Sequence, residues 1–73
     1  MTFLTRPGAR LQARALDTWR EAELVVKVRW DVFLVADRAS RRLSFAAYVA
    51  ALDAEAAAAT ELAGAHPYLA EAA

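Results

Sequence analysis

Apolar side chains recur along this chain at helical spacing. Leu16, Trp19, Val26, Trp30 and Phe33, with Leu34 at the border, fall on one stripe at about 100° per residue, and Glu23 is the one polar interruption. Further on, Phe45, Tyr48, Val49, Leu52, Ala56, Ala59 and Ala63, flanked by Leu62, form a second stripe. The strongest helix breakers frame these patterns: Pro7 and Gly8 precede them, Gly64 and Pro67 follow, and Ala9 to Ala63 contains neither residue type. Gly and Pro cost a helix interior roughly 1 and 3 kcal/mol relative to Ala, so their confinement to the borders marks helix start and helix stop.

A single helix over that span would extend about 80 Å with no sustained heptad to hold it in a coiled coil. A break is expected at the polar run Asp37–Ser44, with Ser44 as the cap of the second helix and Leu43 packing on Tyr48 as a hydrophobic staple. The pattern thus predicts helix 1 over about 9–37, a turn over 38–44, helix 2 over about 45–63 and a tail over 64–73. Thr2 or Thr5 would cap the start, and Gly64 would end helix 2 in the left-handed conformation. The fold class is all-α, a single small domain built as a two-helix antiparallel hairpin. A β-strand through Val25–Val35 is the rival, because β-branched residues are dense there. One strand with no partner would leave its backbone donors unmet, which favours the helix.

Folding back near residue 40 places Phe33 by Tyr48 or Val49, Trp30 by Leu52, Val26 by Ala56, and Trp19 by Leu62 or Ala63. Large residues then meet small ones, as dense packing requires. Trp19, Val26, Trp30, Phe33, Tyr48 and Leu52 are the expected anchors. The outer alanines Ala47, Ala50, Ala54, Ala57 and Ala58 serve helix propensity or the close approach of another helix.

Leu24, Val25, Val28, Val32 and Val35 fall on the opposite side of helix 1, with only Glu21 charged among them. A hairpin covers one face of each helix, so this valine face is left for association. Two copies joined through it would close into a four-helix bundle; a larger partner protein could cover it instead.

Size supports that expectation. At 73 residues the chain is short enough to be marginal alone, and with no Cys it has no disulfide or thiolate staple. His66 is the sole imidazole, which argues against a zinc site, and no cofactor motif is present. The most apolar run, Leu24–Ala36, holds Lys27, Arg29 and Asp31 and is too short to span a bilayer, so no membrane role and a cytoplasmic location are expected. Eight Arg against one Lys, with abundant Ala, fits a GC-rich bacterial genome.

Net charge is zero, but residues 1–42 carry all nine basic side chains and five acids, while residues 43–73 carry four acids and no Lys or Arg. Halves of about +4 and −4 favour lying side by side, with Lys27 and Arg29 near Asp53 and Glu55. Arg6, Arg10 and Arg14 recur every fourth residue, and Arg38, Arg41 and Arg42 cluster at the expected turn as a candidate anion-binding group. Zero net charge and the lack of interleaved aromatics weigh against nucleic acid. Catalysis would need an oriented base or nucleophile, and the chain offers one His, no Cys and no close carboxylate pair. The expected function is therefore a small non-enzymatic helical interaction module, either a homodimer or an accessory subunit of a larger assembly. Binding of nucleic acid or another polyanion through the arginine clusters is the alternative.

Overall fold

The structure, a computed structural model, describes residues 7–65, with side chains from residue 9 onward. Two helices, α1 (Pro7–Val35) and α2 (Arg41–Gly64), pack against each other as an antiparallel hairpin. Val25–Val35 lies inside α1, so the strand alternative is excluded. Thr2, Thr5, Arg6 and the segment His66–Leu69 lie outside the described residues. None of the described helices is long and apolar enough to cross a membrane.

The break comes earlier than the pattern predicted, and α2 starts at Arg41 rather than Phe45. The reason is Asp37. Its Oδ1 accepts the backbone N–H of Ser40 at 2.9 Å and the Ser40 hydroxyl at 2.8 Å, closing a tight turn that runs directly into α2. Ser40 therefore spends its hydroxyl on Asp37 and makes no side-chain cap to the helix. Ser44, expected as the cap, is already helical, and its N–H donates to Ser40 O at 2.9 Å. The hydrogen bonds from Ser40, its hydroxyl first and its backbone second, hold the Asp37 carboxyl below its ordinary pKa.

At the far end Gly64 is the last helical residue, not a left-handed stop. No described residue has positive φ, and Ala65 N donates to Glu61 O at 2.9 Å. A Cβ built on Gly64 would meet nothing within 4 Å.

Helix α1 presents much of the expected stripe to its neighbour: Leu16, Trp19, Val26 and Phe33 are half-buried. Helix α2 presents a different one. Its inward positions are Ser44, Ala47, Tyr48, Ala51, Glu55, Ala58 and Leu62, followed by Ala65 just past its end, and of these Ala51 and Ala58 alone are buried, at 6% and 5% exposure. Phe45, Val49, Leu52, Ala56, Ala59 and Ala63, expected inside, are exposed. Small residues at every seventh position explain the choice. Ser44, Ala51 and Ala58 line α2 with Ala65 just past its end, and Ala15 and Ala22 answer from half-buried places on α1 with Ala36 just past its end. Small side chains repeating at that interval let two backbones approach along a straight seam, and the dispersion contacts of that approach replace large side chains wedged between them.

Candidate interaction surfaces

An aromatic cluster at the turn end fixes how the helices face each other. The Trp30 and Tyr48 rings lie 5.0 Å apart and the Phe33 and Phe45 rings 5.4 Å apart, both tilted. Trp30–Phe33 at 5.4 Å and Phe45–Tyr48 at 6.2 Å complete a ring of four neighbours. Such pairs contribute roughly 0.5–1.5 kcal/mol beyond their area. They also set Trp30 against Tyr48 where the sequence had suggested Leu52, a slip of about one helical turn. Glu23 and Glu55 are both half-buried, whereas Lys27, Arg29 and Asp53 are exposed.

The hairpin is one helix thick, only 12 Å across its thinnest direction. A stable domain usually has two packed layers over a core. Here no described large side chain is fully buried. The apolar side chains that a second layer would cover face outward in two groups.

The first is the valine face of α1. Leu24, Val25, Val28, Val32 and Val35 are all exposed, from 44% at Val25 and Val32 to 84% at Val35. The five residues singled out from the sequence therefore stand together on the side away from α2. The second group, not anticipated, is a broad face contributed by both helices. Trp30, Leu34, Phe45, Val49 and Leu52 are each at least 36% exposed, and helical geometry turns them to one side of the hairpin. The exposed pair Lys27 and Asp31, four residues apart, forms the ridge between the two groups. The signal for the broad face was present in the seven-residue recurrence of Ser and Ala on α2, which marks the packed side and hence what lies off it.

The arginines divide by position. Arg38 lies in the turn and Arg41 and Arg42 open α2, all exposed; Arg10 and Arg14 are exposed along the start of α1. The turn cluster and the α1 cluster are not brought together, since Arg10 and Arg14 stand at the start of α1 and Arg38, Arg41 and Arg42 beyond its far end. A shallow groove of about 290 Å³ opens between the helices away from the turn, lined by Leu11, Arg14, Ala15, Thr18, Glu61 and Ala65. Among the described residues no group of His, Cys, Asp and Glu could hold a metal ion. Comparison with known proteins matched no family, no curated protein and no solved structure.

Proposed function

We propose that this chain is a non-enzymatic helical interaction module that works by associating with protein, as a homodimer or as an accessory subunit of a larger assembly in the bacterial cytoplasm. The supporting observation is the distribution of apolar surface: among the described residues the buried ones are two alanines, while Trp, Phe, Leu and Val side chains face water. Fully burying one such side chain is worth about 1.5–3 kcal/mol, so covering either apolar group offers a large driving force. A symmetric dimer through the valine face brings four helices together, the closure expected of a four-helix bundle.

The test is the mass of the purified chain in solution, by sedimentation equilibrium across a hundredfold range of concentration. Self-association that Val28→Asp with Val32→Asp reduces, with helicity retained, supports the reading. A chain that stays monomeric, fully ordered and without a protein partner in its native lysate refutes it. Polyanion binding through Arg38, Arg41 and Arg42 is the second reading, supported by their exposure at one end. It predicts RNA or DNA binding that weakens steeply with salt, whereas apolar association tolerates salt.

A further inference from the structure

We infer that the occupant of the valine face is a second copy of this chain, with the two α1 helices antiparallel about a twofold axis passing between positions 29 and 30. The inference rests on the interaction reading above and adds the partner and its orientation.

The argument comes from what flanks the apolar segment. On the outward side of α1, seam positions run Asp17, Glu21, Leu24, Val28 and Val35 in a pattern near seven residues, with Val25 and Val32 beside them and Asp31, which shares the spacing, at the seam's edge. The segment 24–35 is thus bounded by two acids on its N-terminal side and on the other by the turn carrying Arg38, whose neighbour Asp37 has its carboxylate engaged by Ser40. A parallel pair would set Asp17 on Asp17 and Glu21 on Glu21 within the seam. The antiparallel pair centred on the apolar segment lays Leu24 beside Val35 of the other copy and Val25 near Val32. Glu21 then projects just past the other copy's Val35, onto Arg38.

The rim agrees. Asp31 and Lys27 border the valine face on one side, and the same twofold axis brings Asp31 of each copy to Lys27 of the other. Both side chains are exposed, so the exchange requires no rearrangement of the hairpin. Arg29, on the opposite rim, approaches its own copy; it is exposed and long enough to turn its guanidinium into solvent. Opposite charges match at two kinds of site, each occurring twice, against one like-charge approach at the edge. Complementarity of this kind sets orientation more than it sets affinity.

The natural chain has no cysteine, so engineered thiols report the orientation cleanly. Leu24→Cys and Val35→Cys chains, one isotope-labelled, are mixed in equal amounts, oxidised gently and analysed by intact mass. In the antiparallel pair each thiol meets the other kind, while like thiols lie about 16 Å apart along the axis. That is far beyond disulfide reach, so the mixed disulfide should exceed either like disulfide by at least about tenfold. A second arm reverses charge: Glu21→Arg should weaken self-association about tenfold, and adding Arg38→Glu should restore it. Like disulfides, or statistical mixing, in a sample that sedimentation shows to be dimeric would overturn the orientation while leaving the interaction reading intact. A charge reversal that the second substitution fails to restore counts against the register. A chain monomeric at every concentration removes self-association altogether.

Discussion

Replacing Ala51 by Leu tests the packing of the hairpin directly. Ala51 is 6% exposed, in the middle of the seven-residue series on α2, and Leu adds three heavy atoms at a position already buried. With no room to accept them, the helices must separate or the side chain must leave its preferred rotamer, at a cost of about 1–3 kcal/mol. For a chain of this size that lowers the melting temperature by about 5–20 °C. The neighbouring change, Leu52→Ala, truncates a side chain that is 36% exposed, and should cost less than the 2–5 kcal/mol of a fully buried leucine. Both are read by circular dichroism during thermal and urea unfolding at matched chain concentration, since association shifts apparent stability. The opposite ranking, with Ala51→Leu neutral and Leu52→Ala severe, would show that α2 packs through the face its large residues occupy and would refute the alanine seam.

Gly64→Ala should stabilise the hairpin by about 0.5–1 kcal/mol, because Gly64 is helical and nothing stands where the methyl group would go; denaturant midpoints report it. Phe45→Ala removes ring partners of both Phe33 and Tyr48 and should flatten the near-ultraviolet dichroism of the aromatic cluster while far-ultraviolet helicity persists. Asp37 has a folded pKa below its unfolded one, so its stabilising effect is complete above the unfolded value and is lost as pH falls through the lower folded value. The melting temperature of the natural chain should therefore fall more steeply below about pH 4 than that of Asp37→Ala.

Much of the fold could be read from the residues, because Pro, Gly and the polar run near residue 40 punctuate the chain and α1 has one clearly richer stripe. The facing side of α2 could not be read by the same rule. Ranking faces by hydrophobicity chose Phe45, Val49 and Leu52, but packing against α1 rewards close approach, and Ala51 and Ala58 provide it. Ser44 was a sound cap by type, yet Asp37 binds Ser40 first and starts the helix a turn earlier. The valine face was legible because it depends only on helical period, which the structure retains; the broad face depended on the register of α2 and was hidden with it.

A seam made of alanine has a consequence for the life of the molecule. Its strongest sources of stability point outward, so the isolated hairpin should open readily, and each encounter that covers those side chains also closes the fold. In the proposed dimer, survival against proteases would track how much of the chain is present, since dissociated copies open more readily than paired ones.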